Sequence, residues 1–341
     1  MAEVISLGCR LNLSESEDLR AMLAAEPDLV VINSCAVTSE AVRQTRQAIR
    51  RARRANPNAR LIVTGCAAEV ERAALSALPE IDGLVANQAK LDPRAWNIPA
   101  AQAVPRPTHT RAFIAVQNGC DHACTFCIIP KGRGPSRSLW VPETLREVER
   151  HLVGGVQEVV LTGVDLTSWG HDLPDGPGLG LLVAAILEAF PQLPRIRLSS
   201  LDGIEIDAQL FDLLAHEPRV MPHVHLSLQH GDDLILKRMK RRHLRADAVG
   251  LVERLKAARP EIAIGADLIA GFPTEDEAAH AANQAIIGEL GIVHGLVFPY
   301  SARNGTPAAR MPQVPAGTIR TRAAELRQAI AAERARWLHS L

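Results

Sequence analysis

Aromatic side chains are scarce in this 341-residue chain: six Phe, four Trp and one Tyr, 3% in all. Recognition by stacking nucleobases on aromatic platforms therefore has little support. Net charge is missing too. The 38 basic side chains balance 38 acidic ones. That excludes a uniformly basic nucleic-acid coat, but not a local basic patch. No apolar run approaches the ~18–20 residues that span a bilayer. The longest, such as Glu158–Leu166, are strand-sized. The N-terminus enters a strand-like segment, Glu3–Leu7, without the basic and apolar regions of a signal peptide. No membrane association and a cytoplasmic location are expected. Six cysteines would be reduced there, which favours metal or catalytic roles over disulfides.

What is present is an alternation of strands and helices over more than one domain's length, at roughly 150 residues per domain. Glu3–Leu7, Leu29–Asn33 and Arg60–Thr64 read as strands, each followed by a helical stretch. The last of these helices is expected over Glu69–Leu78. The pattern predicts an α/β fold with a doubly wound parallel sheet over residues 1–91. Four prolines mark a linker over residues 92–108. Strands then read at Ala112–Gln117, Glu158–Thr162, Arg195–Ser199, His223–Leu228, Ala263–Ile269 and Gly295–Pro299. With helices between them, residues 109–317 form a partial (β/α)6 barrel, whose working face lies at the C-terminal strand ends. Residues 318–341 read as a closing helix.

Cys120, Cys124 and Cys127 form C-x3-C-x2-C just after the first barrel strand. Soft thiolates suit iron–sulfur clusters. Three of them leave the fourth iron open to the amino and carboxylate groups of a molecule such as S-adenosylmethionine (SAM). Zinc with His122 as a fourth ligand, or incidental cysteines, are the alternatives. Cys9, Cys35 and Cys66 each follow a predicted strand and precede a predicted helix. A parallel sheet places all three at one edge, where open α/β sheets bind ligands. The alternative is three buried structural cysteines.

The chain resembles the methylthiotransferase branch of the radical SAM enzymes. The resemblance lies in SLGCRLNLSESE (Ser6–Glu17), INSCAVTSEAVRQTRQAIRR (Ile32–Arg51), VTGCAAE (Val63–Glu69) and QNGCDHACTFCIIPKGRGPSRS (Gln117–Ser138). It continues through HLSLQHGDDLILKRMKR, GADLIAGFPTE and VFPYSARNGTPAARM, to about residue 315. Gly8-Cys9-Arg10-Leu11-Asn12 and Cys35-Ala36-Val37-Thr38 are most similar to enzymes acting on N6-threonylcarbamoyladenosine at position 37 of tRNA.

The resemblance implies two [4Fe–4S] clusters and SAM as cofactors. Cys120, Cys124 and Cys127 would bind the cluster that cleaves SAM, and Cys9, Cys35 and Cys66 the cluster that delivers sulfur. A 5′-deoxyadenosyl radical would abstract hydrogen from C2 of the modified adenine, an unactivated position that calls for cofactor radical chemistry. Thr162, Gly163, Asp165, Ser199 and Gln229 are the expected SAM contacts, and Gly265–Glu275 resembles a segment near the adenine ring. Methylthiolation of a ribosomal-protein aspartate is the alternative activity, and an inactive iron–sulfur or zinc protein the alternative without one. The partners implied are tRNA carrying the threonylcarbamoyl base and a reductant protein.

Three departures from the family pattern stand out. Lys131 replaces a usual aromatic residue, and His230 a usual small one. The small RNA-binding β-barrel that commonly follows a helix like Thr318–Leu341 is expected to be absent. His223, His225 and His230 are expected to be hydrogen-bonded barrel residues. For tRNA phosphates the sequence offers Arg43, Arg46, Arg50, Arg51, Arg53, Arg54 and Arg60, then Lys237, Arg238, Lys240, Arg241, Arg242 and Arg245. The second run is expected to face a partner. Arg320, Arg322, Arg327, Arg334 and Arg336 offer a third surface or ordinary helix pairing.

Overall fold

The computed structural model describes residues 2–99 and 110–340. Four strands begin the fold: β1 (Glu3–Ser6), β2 (Leu29–Ser34), β3 (Arg60–Gly65) and β4 (Gly83–Leu84). They form one parallel sheet in sequential order. The chain between them forms α1 (Arg10–Met22), α2 (Ser39–Ala55), α3 (Cys66–Val70) and α4 (Arg72–Ser76). Every residue of β2 is buried, as the uninterrupted apolar run of an inner parallel strand requires. Side chains alternate across the sheet. Val30, Ile32, Leu61 and Val63 pack with Ile49 of α2 on one face. Val4, Val31 and Ile62 pack with Leu19 of α1 on the other.

Two local expectations change. The helix expected over Glu69–Leu78 is broken at Glu71 into α3 and α4. The expected linker begins as part of the N-terminal core: Trp96 is buried against the α1 face, and its indole donates to the Lys90 carbonyl. The rest of that linker, from residue 100, lies outside the described residues.

The second unit is an arc of parallel strands. Along the chain it contains β5 (Arg111–Ala115), the short antiparallel pair β6 (Gln117–Asn118) and β7 (Arg137–Ser138), then β8 (Glu158–Thr162), β9 (Arg195–Leu198), β10 (Ser200–Leu201), β11 (His223–Gln229), β12 (Ala263–Ala270) and β13 (Ile292–Pro299). Helices α5 (Ile129–Arg133), α6 (Val141–Val153), α7 (Leu179–Ala189), α8 (Ala208–His216), α9 (Asp233–Arg238), α10 (Arg245–Ala258), α11 (Glu277–Leu290) and α12 (Ala316–His339) surround it. Pairing runs β5-β8-β9 and β10-β11-β12-β13, bridged at Ile196 and Val220. The arc does not close: β5 and β13 are its free edges.

The N-terminal sheet docks onto that opening. Ser14 of α1 donates to the Phe113 carbonyl on the free edge of β5 at 2.7 Å. At the other side Arg303, after β13, pairs with Glu71 at 3.0 Å. Between these contacts lies a buried charge network. The Glu15 carboxylate accepts from Lys90 Nζ at 2.5 Å and from both terminal nitrogens of Arg133 at 2.8 and 3.0 Å. Lys90 also reaches Asn33 Oδ1, and Arg133 reaches Asn12 and Asn118. The three charged side chains are only 2–3% exposed. Burial pushes the Glu15 carboxyl up, but the charges of Lys90 and Arg133 hold it below its ordinary value.

Glu15→Gln keeps the shape and removes the charge, leaving two buried cations short of an anion. A loss of ~3–5 kcal/mol of unfolding free energy is expected. Urea unfolding monitored anaerobically checks this. A loss below ~1 kcal/mol would show that the network does not carry the docking.

Candidate functional site

Cys9, Cys35 and Cys66 lie where β1, β2 and β3 hand over to their helices, at one edge of the sheet. Gly8 makes the gathering possible. It has φ +95°, and a Cβ there would lie 2.8 Å from the Cys35 sulfur. Cys35 and Cys66 are buried and Cys9 is exposed. Burial pushes the Cys35 thiol up to about 11, and the Cys9 and Cys66 sulfurs add to the effect. Burial raises the Cys66 thiol too, against the nearby Arg133 guanidinium. Three thiols in mutual electrostatic reach form a soft donor set suited to iron and sulfide.

The second set sits at the mouth of the barrel. The loop after β6 carries Cys120 and Cys124 and leads through Cys127 to α5. Backbone bonds fix it, from Cys120 N to the Gly134 carbonyl and from Cys127 N to the Cys124 carbonyl. Burial pushes the thiols of Cys120 and Cys127 up to about 12. Arg241 donates to the Cys124 sulfur at 3.7 Å.

The two sets meet across α3 and α5. A Cβ on Gly132 of α5 would lie 3.2 Å from the Cβ of Cys66, so glycine permits the approach. Cys66 and Cys127 lie in electrostatic reach of one another. Asn87 donates to the Gly132 carbonyl at 2.7 Å and ties the same contact from the N-terminal side.

His122 is less suited to complete a zinc site than its position in the loop suggested. It groups with Cys120 and Asp165 within 4.8 Å. Its Nε2, however, lies 2.7 Å from Asp165 and 3.8 Å from Glu205. Hydrogen bonds to those carboxylates raise its pKa to about 10, so this ring nitrogen is already engaged by acidic partners.

The expected SAM contacts all lie at or just beyond the C-terminal ends of barrel strands. Thr162 ends β8 and is 2% exposed. Gly163 follows, and the amides of Val164 and Asp165 donate to Gln117 Oε1 at 2.9 and 2.8 Å. Asp165 accepts from Ser168 and lies 3.7 Å from the Cys120 sulfur. Ser199, beyond β9, is buried, and its hydroxyl has no hydrogen-bond partner among the described residues. That orphan polar atom fits a site built for a ligand. Gln229 ends β11 at a register shift, with φ +71°. The segment expected near adenine is held by Glu275, which accepts from the amides of Gly271 and Phe272 at 2.8 and 3.1 Å.

Two histidines have the expected partners. His225 faces Asp267 at 3.0 Å, and fully buried His230 faces Glu275 at 3.2 Å. His223 Nδ1 has none among the described residues. Lys131 donates to the Gly305 carbonyl.

In the second basic run the arginines are engaged within the chain, while Lys237, Lys240 and Arg242 remain exposed. Arg241 and Arg242 both donate to Asp202 Oδ2, at 2.8 and 3.1 Å, and Arg242 also to Glu205 at 2.7 Å. Arg238 donates to Thr274 at 2.7 Å, and Arg245 pairs with Glu289 and two backbone carbonyls. The carboxylates of buried Asp202 and half-buried Glu205, distant in sequence, claim Arg241 and Arg242. Nothing in the local sequence marks Asp202 and Glu205 as the partners of these arginines. Arg53 in α2 is likewise held by Asp82 and three carbonyls, whereas Arg51, Arg54 and Arg60 are exposed. Arg322 of α12 is buried on Glu275 and Glu277. No described helix is long and apolar enough to cross a membrane.

Comparison with known proteins agrees with this geometry. The Radical SAM superfamily model matches residues 114–284, and the Uncharacterized protein family UPF0004 model matches residues 2–86. The chain is 44% identical to the threonylcarbamoyladenosine tRNA methylthiotransferase MtaB of Rickettsia prowazekii (strain Madrid E), over 96% of this chain and 82% of that protein. It is 32% identical to the tRNA-2-methylthio-N(6)-dimethylallyladenosine synthase of Cereibacter sphaeroides (strain ATCC 17025 / ATH 2.4.3), over 91% and 78%. The fold is similar to the radical S-adenosylmethionine methyltransferase TsrM of Kitasatospora setae, with a TM-score of 0.61 at 17% identity, covering 86% of this chain and 66% of that one. The cofactors of such methylthiotransferases are SAM and two [4Fe–4S] clusters. The chain belongs to the radical SAM methylthiotransferases that modify tRNA.

Proposed function

We propose that this enzyme methylthiolates C2 of N6-threonylcarbamoyladenosine at position 37 of tRNA. The meeting of two three-thiol sets across α3 and α5 carries the reading. One set lies at a sheet edge and the other at a barrel mouth. The 44% identity to a protein named for the threonylcarbamoyl base, against 32% for one named for the dimethylallyl base, supports the choice of substrate. Neither a ribosomal-protein aspartate nor an inactive protein gains support from these relatives. The division into residues 1–91, 109–317 and 318–341 belongs to the same proposal.

Cys120, Cys124 and Cys127 hold one cluster, and Cys9, Cys35 and Cys66 the other. Bound there, the first would supply the electron for SAM cleavage and the second the sulfur. The protein's own groups shape the surroundings. Arg241 sets a cation against Cys124, itself anchored by Asp202 and the Ser227 carbonyl. Arg133 sets a second cation near Cys9 and Cys66. Arg133 lowers the Cys66 thiol and Arg241 the Cys127 thiol, against the burial that raises both. Thr162, Gly163, Asp165, Ser199 and Gln229 line the strand ends where SAM binds. The free hydroxyl of Ser199 is available to it. A reductant protein is the further partner this chemistry requires.

Anaerobically purified enzyme is expected to hold about eight irons per chain. Cys35→Ala should retain about four, still cleave SAM and fail to insert sulfur. Cys120→Ala should lose SAM cleavage. Iron analysis and 5′-deoxyadenosine release measure these outcomes, and normal methylthiolation by Cys35→Ala would refute the second set's role. For the substrate, tRNA nucleosides from a deletion strain lacking any redundant enzyme are compared by mass spectrometry. The methylthio form of threonylcarbamoyladenosine should vanish, and its undiminished presence would reject the assignment.

A further inference from the structure

The interior of the open barrel is charged. Alternate residues of each strand point away from the apolar layer under the helices. Ala112, Val159, Ile196, Val224 and Ile264 enter that layer, which leaves their neighbours Arg111, Glu158, Arg197, His223 and His225 on the inner face. Pairing partly neutralises this face. Glu158 binds Arg197 at 2.9 Å and also faces Arg195 and Arg111 at 3.3 and 3.7 Å. Asp267 on β12 binds His225 at 3.0 Å. The rings of His223, His225 and His294 stand 5.9–6.3 Å apart.

One more cation enters from outside the barrel. Arg10 opens α1, the helix that sits on the free edge of β5. It lies in electrostatic reach of Arg111 on β5, of Arg197 and Glu158 farther along the arc, and of Asp267 on β12. His223 and His294 feel it as well. Groups on both edge strands, Arg111 on β5 and His294 on β13, are thus within its electrostatic reach. Glu158 and Asp267 are already committed to other partners. Arg10 is exposed and makes no hydrogen bond or ion pair among the described residues. An unpaired guanidinium among other cations is an unfavourable arrangement, relieved by an incoming anion. Its neighbour in the chain is Cys9, one of the three thiols proposed above to hold the sulfur-delivering cluster.

We propose that Arg10 is the specificity residue that binds the carboxylate of the threonyl group on the substrate base. This rests on the substrate reading above and deepens it. A dimethylallyl group is neutral and has nothing to give a guanidinium, whereas a threonylcarbamoyl group ends in a carboxylate. The planar fork of arginine matches that carboxylate with two parallel hydrogen bonds. An enzyme built this way favours the acidic base, because only that base gives the exposed Arg10 guanidinium an anion to pair with. Arg10 positions substrate and takes no part in the radical steps.

The test uses reconstituted enzyme and an anticodon stem-loop RNA carrying threonylcarbamoyladenosine, either as the free acid or as its methyl ester. Wild type should bind the acid at least about tenfold more tightly than the ester. Arg10→Gln should bind both as wild type binds the ester, with KM for the acid raised about tenfold or more. Its iron content and substrate-free SAM cleavage should match wild type. Arg10→Lys should recover part of the preference, which a merely structural role would not predict. If Arg10→Gln keeps the preference for the acid, or if wild type shows none, the assignment is overturned. Failure of wild type to modify either RNA would instead overturn the substrate reading, and this inference with it.

Discussion

A carboxylate buried between two cations is the constraint on which the rest of the molecule depends. Glu15 belongs to the first helix of the sheet domain, Lys90 follows its last strand, and Arg133 ends the helix after the barrel cysteines. Taking three charges out of water is costly, and the geometry must be close to ideal to offset it. Such a network is a poor source of net stability but a strict selector of arrangement. With Glu15 in place, Cys66 and Gly132 are pressed together and the two cysteine sets face one another. A small shift of the sheet on the barrel would break the network before it separated the thiols by much.

The balanced charge of the chain has a physical basis. Many arginines that read as a polyanion-binding surface are paired within the chain with carboxylates and carbonyls. Arg241 and Arg242 converge on Asp202, Arg245 on Glu289 and Arg322 on Glu275. Arg241 does two jobs, since the anchored guanidinium also meets a cluster-binding loop. The cations left on the surface, among them Arg51, Arg54, Lys237 and Lys240, are fewer than the runs suggest. In α2 and its exit, Arg43, Arg50, Arg51, Arg54 and Arg60 remain exposed.

Both thiol sets also answer a common problem. A buried cysteine resists losing its proton, as the raised pKa values of Cys35, Cys120 and Cys127 show. Metal ligation needs the thiolate. Arg133 and Arg241 each approach one set from a different element and offset part of that penalty without themselves being ligands. Neither could be assigned from sequence spacing, because the first lies within a cysteine motif's trailing segment and the second in a basic run far along the chain.

The secondary-structure elements and the order of the cysteine motifs are legible in the chain alone. The continuous apolar run of β2 and the periodic strands after it made a parallel α/β fold legible. The recurrence of a cysteine after each early strand made one edge of a sheet the meeting point, because parallel strands end together. C-x3-C-x2-C is local, so its three thiols needed no tertiary information. Only the tertiary structure decided which polar residues are partners. The Glu15–Lys90–Arg133 network joins positions 75 and 118 residues apart, and Asp202 reaches Arg241 across 39. No periodicity encodes such pairs, since a buried charge is satisfied by whatever the fold brings near it. The same holds for Arg10: its place beside Cys9 was plain in the sequence, but its electrostatic reach to Arg111, Arg197 and His294 follows from where α1 docks.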